Sequence, residues 1–162
     1  MKKTILFVVI FIALLVCAVG YSDSRYRTSV GQPAPLLAIS KADSLIKLDE
    51  LRGNYVLLSF WSGMNAPSRK AVNEYTAWFR SHKDAKVKML NINFDTSQNI
   101  YNDLVSRDGL NPDENFHAQG AEAKAIIDNY GLQDGYGSLL INPQGKIVAH
   151  NPAPEKISSL VK

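Results

Sequence analysis

Residues 54–61, NYVLLSFW, constrain the fold more than any other stretch of the chain. The run is largely apolar, of strand length, and rich in aromatic and branched residues. It predicts a central strand buried on both faces, because a strand with one solvated face would alternate polar and apolar positions. Residues 65–82 follow with apolar side chains at Ala71, Val72, Tyr75, Trp78 and Phe79. That three-and-four spacing predicts an amphipathic helix. A doubly buried strand running through a short loop into such a helix is the start of a layered α/β unit.

The remaining segments extend the pattern. SLIKLDELRG, ahead of the central strand, predicts a short strand and a turn, and VKMLNINF predicts a second buried strand. SQNIYNDLVSRDG reads as a helix ending near Gly109. GAEAKAIIDNYG reads as another ending at Gly131, where glycine closes helices by taking a left-handed conformation. GSLLINPQGKIVAHNP predicts a hairpin around Asn142-Pro143-Gln144-Gly145, and a short helix over 155–161 closes the chain. The sum is a mixed sheet, mainly parallel with an antiparallel edge, covered by helices on both faces. A chain of 162 residues accommodates one core of this kind.

The first twenty residues, MKKTILFVVIFIALLVCAVG, are excluded from that core. Lys2 and Lys3, an unbroken apolar run over residues 5–19, and small residues at Ala18 and Gly20 form an export signal with cleavage expected before Tyr21. The run is short for a membrane span, which needs about 20 residues. A retained inner-membrane anchor over residues 5–19 is the alternative. Cys17, the one cysteine, lies inside the run, and bulky Val16 before it argues against lipidation. The exported part would therefore contain no cysteine and no disulfide. With Lys2 and Lys3 removed, 16 basic side chains remain of the 18, against 15 acidic ones. That near-neutral balance, without a basic cluster, excludes a nucleic-acid surface. Residues 21–32 read as a loose N-terminal arm and the domain is expected over 33–162.

Three stretches carry a family resemblance. VGQPAPLLAI is similar to an opening G-x-x-A-P-x-F, LDELRGNYVLLSFW to L-x-x-L-[KR]-G-K-x-V-x-x-x-F-W, and YGSLLINPQGKIVA to P-T-x-F-L-I-D-x-x-G-K-I. In this order and spacing they resemble the thioredoxin-like superfamily, in particular exported thiol-disulfide oxidoreductases and peroxiredoxin-like redoxins. The fold implied is a three-layer thioredoxin-like sandwich. The resemblance also implies a loop of the form A-x-W-C-x-P-C-R after the F-W pair. Here Ser62 and Gly63 take its first two places, Met64 stands for the tryptophan, Asn65 for the first cysteine and Ser68 for the second. Pro67 and Arg69 keep the pattern. The cis-proline of the superfamily falls at Tyr136. A cis bond before a non-proline residue costs about 2.5–4 kcal/mol, so the 135–136 peptide is expected to be trans.

A thiol at a helix N-terminus is acidified by the helix dipole and by free backbone amides, and that acidity is what dithiol exchange needs. Neither an amide at Asn65 nor a hydroxyl at Ser68 supplies it, so catalysis by the family's own chemistry is excluded unless outside thiols take part. Asn65 is expected to cap the helix. Ser68 is expected to be a small, partly buried filler. Trp61 is expected to be core or loop support. Met64, Asn65, Pro67 and Tyr136, with Trp61, are the candidate binding residues of a degenerate site. Asp95, at a strand end near that site, is expected to cap the following helix. His82, His117 and His150 are scattered and predict no metal site. No phosphate loop or Ser/His/Asp motif is present, and no cofactor is expected. The resulting expectation is a cysteine-less pseudoenzyme of the periplasm or cell envelope that binds a protein or peptide. The alternatives are a component of a thiol-disulfide or antioxidant system using another protein's cysteines, and a purely structural domain.

Overall fold

The computed structural model describes residues 28–41, 44–82 and 86–161. The expected signal over 1–20 and most of the expected arm lie outside them. The described chain begins with an antiparallel pair, β1 (Ala38–Lys41) and β2 (Ser44–Lys47), followed by a 3₁₀ turn over Leu48–Leu51. The unit anticipated from NYVLLSFW comes next: β3 (Tyr55–Trp61), α1 (Ala66–Ser81) and β4 (Val87–Asn93). Then follow α2 (Gln98–Arg107), β5 (Asn115–His117), α3 (Gly120–Tyr130), β6 (Ser138–Ile141) and β7 (Ile147–His150). A 3₁₀ turn over Pro154–Lys156 runs into α4 (Ile157–Leu160).

The main sheet has the order β5-β4-β3-β6-β7. β3 pairs parallel with β4 and β4 with β5, whereas β6 and β7 are antiparallel. β3 therefore has a neighbour on each edge and helices over each face, as its apolar composition requires. Alternate residues divide between the faces. Val56, Leu58 and Phe60 join Leu90, Ile92, Phe116, Leu139 and Ile141 under Ile126 and Tyr130 of α3. On the opposite face Trp61 packs with Val72 of α1 and with Tyr101, Leu104 and Val105 of α2. Leu57 there meets Tyr75, Met89 and Ile157. Each fully buried aliphatic side chain contributes about 1.5–3 kcal/mol relative to exposure, and β3 alone supplies several. α3 closes at Gly131 with φ 66°, the left-handed conformation that only glycine takes at little cost.

Two local differences from the sequence reading stand out. β5, with three residues, was not anticipated. Pairing also begins ahead of Pro33: the Gly31 amide donates to the Ile147 carbonyl (2.8 Å), the Ile147 amide donates to Gln32 (2.9 Å), and Thr28 is buried. Residues 28–32 are thus packed on the β7 edge, in place of the loose arm expected there.

Candidate functional site

The candidate site sits where β3 ends and α1 begins. Asn65 is the N-cap of α1: its side-chain oxygen accepts the Ser68 amide at 3.0 Å, as expected from its residue type. Pro67, lacking an amide hydrogen, occupies the first turn where none is needed. Ser68 is buried with its hydroxyl fully engaged, donating to the Asn65 carbonyl (3.0 Å) and accepting from the Ser62 amide (3.3 Å). Met64, at the tip, is 94% exposed.

Asp95 organises the loop. It is 5% exposed, just beyond the end of β4. One carboxylate oxygen accepts the Ser62 hydroxyl at 2.6 Å, the Gly63 amide donates to both oxygens at 3.0 Å, and Asn93 Nδ2 donates at 2.8 Å. The Asn93 side-chain oxygen in turn accepts the Asp95 amide at 2.9 Å. Ser62 also accepts the Met64 amide at 3.3 Å. The expectation that Asp95 caps the next helix is therefore corrected. The N-cap of α2 is Ser97, without a side-chain cap bond, and the Asp95 carboxylate turns back to the loop after β3. Burial acts to raise the Asp95 pKa. The hydrogen bonds from Ser62, Asn93 and Gly63 and the field of His117 outweigh burial, leaving the carboxyl below its usual range.

Close packing explains the glycine at 63. A Cβ there would lie 2.3 Å from Leu104 Cδ1 and 3.2 Å from an Asp95 oxygen. His117 supports the network from β5: its Nε2 donates to the Asp95 carbonyl (2.6 Å), and its ring stacks on Tyr101 at 4.9 Å. Arg69 forms a bidentate pair with Asp108 (2.7 and 2.5 Å), tying the first turns of α1 to the end of α2.

Of the expected binding residues, Met64 lies at the loop tip, Asn65 at the N-cap and Pro67 in the first turn of α1. Tyr136 lies opposite, half-buried and stacked on Phe94 at 5.3 Å and 2°. Burial and the Asp95 charge both raise its phenol pKa. Pro67 and Tyr136 line a groove of about 890 Å³ with Ala71, Trp78 and Pro152. Trp61 does not reach this surface. It is completely buried, so the core reading holds and its place among the binding residues is corrected. Among the described residues no peptide bond is cis, and 135–136 is trans. Among them, too, no cluster of three or more His, Cys, Asp or Glu converges as a metal site would require. Sequence reasoning missed Ser62, Gly63, Asn93 and His117. The adjacency of β3 and β4 connects Ser62 and Gly63 with Asp95, that of β4 and β5 connects His117, and Asn93 lies two residues before it at the end of β4.

A central parallel pair with an antiparallel hairpin beside it, helices on both faces, and a helix N-terminus at the end of the central strand together define a thioredoxin-like fold. The AhpC/TSA family model matches residues 30–150, and the chain belongs to that family. It is 26% identical over 155 residues to thiol-disulfide oxidoreductase ResA of Bacillus subtilis (strain 168), covering 91% of this chain and 84% of that one. Among solved structures, the thioredoxin domain of a thiol-disulfide oxidoreductase from Bacteroides vulgatus is similar with a TM-score of 0.73 at 20% identity, covering 83% of this chain and 99% of that one. A thioredoxin-like protein from Parabacteroides distasonis ATCC 8503 gives a TM-score of 0.67 at 28% identity, with 82% and 94% covered. Within this thiol-disulfide company, the present chain has Asn65 and Ser68 at the helix start and its one cysteine at position 17.

Proposed function

We propose that this redoxin is an exported, non-catalytic module that recognises a protein or peptide of the cell envelope through the face of the former redox loop. One observation carries the reading: Met64 holds an apolar side chain 94% exposed on a loop whose backbone is fixed by Asp95, Ser62 and Asn65. A polarizable thioether on a rigid mount offers an adaptable apolar contact while little backbone entropy is lost on binding. The groove that runs from Pro67 to Tyr136 gives an extended segment room beside it. Export rests on residues 1–20, with residues 5–19 as an anchor if the signal is retained. No helix among the described residues is long and apolar enough to cross a membrane.

The test compares immobilised chain with its Met64→Asp variant in envelope extract. A partner retained by the first and lost by the second supports the reading, and identical capture by both removes the loop from recognition and leaves a structural domain. Family membership favours the second reading, in which the chain serves a thiol-disulfide or antioxidant system. Neither Asn65 nor Ser68 can form a mixed disulfide, so both sulfurs would come from other proteins. Thiol-dependent insulin reduction or peroxide turnover above the uncatalysed background would decide for that reading against the first.

A further inference from the structure

Under α1 and α2 the sheet carries a row of polar side chains at one level. Register pairs Ser138 of β6 with Ser59 of β3, Ser59 with Asn91 of β4, and Asn91 with Asn115 of β5. Residues in register project to the same face, and four strands about 4.8 Å apart spread the row over roughly 14 Å. All four are buried. The ends of the row are paired: Ser138 Oγ bonds to Ser59 Oγ (3.0 Å), and Asn115 Nδ2 donates to the Asn111 carbonyl (2.8 Å).

The middle is different. Asn91 is fully buried, and neither its amide nitrogen nor its oxygen has a hydrogen-bond partner among the described residues. Asn115 Oδ1 is unpartnered as well, as are Thr76 Oγ1 on the buried side of α1 and Trp61 Nε1, two positions beyond Ser59 on β3. Buried polar atoms in folded proteins are nearly always hydrogen-bonded, because an unmet donor or acceptor costs more than a made bond gains. This set is mixed, amide, indole and hydroxyl donors together with amide and hydroxyl acceptors, and no charged side chain stands in the row. A neutral molecule that both donates and accepts, with two to four bonds to give, matches it, and a metal ion or an anion does not.

We infer that the seam between the sheet and α1 is a binding site for internal water, with Asn91 at its centre bridged through water to Asn115 and Thr76. The site also fixes strand register. Slipping β4 by one residue would turn Asn91 into the apolar cluster beneath α3, away from its hydrated neighbours.

Two measurements on the full chain test this. In a high-resolution crystal structure, an ordered water is expected within hydrogen-bonding distance of the Asn91 amide and of Thr76 Oγ1 or Asn115 Oδ1. Direct pairing of Asn91 with those side chains, without water between, overturns the inference. In solution, Thr76→Val keeps the side-chain shape and removes the hydroxyl. Its urea midpoint, followed by tryptophan fluorescence, is expected to fall, since a water-bridged hydroxyl is lost. An unchanged or higher midpoint means that the hydroxyl lay dry and unbonded, and overturns the inference equally.

Discussion

Beneath α3 the sheet presents Leu58, Phe60, Leu90, Ile92 and Phe116 in one continuous apolar cluster, whereas beneath α1 and α2 the same strands present Ser59, Asn91, Asn93 and Asn115 between two smaller clusters. The strands are shared, so the difference is one of alternate residues. The first face holds the fold together by area. The second holds particular things in particular places: a register, a loop, a helix start. Asn65 and Ser68, at the start of α1, lie outside the apolar cluster beneath α3, so the residue types at those two positions leave the area that supports the fold unchanged.

Substitutions at four positions sharpen or break this division, in descending size of effect. Ile92→Ala, on the apolar face and fully buried, is expected to cost about 2–5 kcal/mol in urea unfolding. A cost well below that range would mean that the apolar face is not the main support. Asp95→Ala leaves the Ser62 hydroxyl, the Gly63 amide and Asn93 without their acceptor, and is expected to cost about 2–3 kcal/mol, since each orphaned group carries a penalty of about 1–3 kcal/mol that relaxation and solvent partly relieve. Asp95 also predicts a pH dependence. Its folded pKa lies below that of the unfolded chain, about 3.9, so between the two values the unfolded state binds more protons. The stabilisation is full above the unfolded value and is lost as pH falls through the folded one. Midpoints measured from pH 6 down to about 2 should fall less steeply in Asp95→Asn than in the parent, the residual slope belonging to groups such as Asp108, which Arg69 also holds acidic.

Asn65→Ala removes the cap of α1 and is expected to cost about 1 kcal/mol. Circular dichroism should then show the helix start loosened while the sheet persists. Met64→Asp changes an exposed side chain and is expected to alter stability by no more than about 0.5 kcal/mol while abolishing partner capture. A large stability change there would mean that Met64 supports the loop.

Much of the first face was legible in the sequence. NYVLLSFW and VKMLNINF announce themselves by composition, and Gly131 marks a helix end by conformational need. So was Asn65, because an N-cap bond spans only three residues. β5 was not, since Asn115, Phe116 and His117 are too few to show a period and acquire strand geometry only from the edge of β4. Asp95 was located correctly but given the wrong partner, because the local preference of a carboxylate for the next helix lost to a serine and a glycine on the neighbouring strand's loop. The row from Ser138 to Asn115 was invisible for the same reason. Register is a long-range property, and each member looks ordinary alone.

The reach of the Asp95 clamp bears on motion. Its bonds to Ser62 and Gly63 span 33 and 32 residues and enclose α1 and β4 entirely. A contact across such a span cannot outlast separation of the strands it joins, and it leaves little for the loop to do alone. The Gly63 amide should therefore exchange its hydrogen on the slow timescale at which β3, α1 and β4 open together, although it belongs to a surface loop. The site would behave as the rim of a cooperative unit, carrying Met64 on a platform that yields only when that unit does.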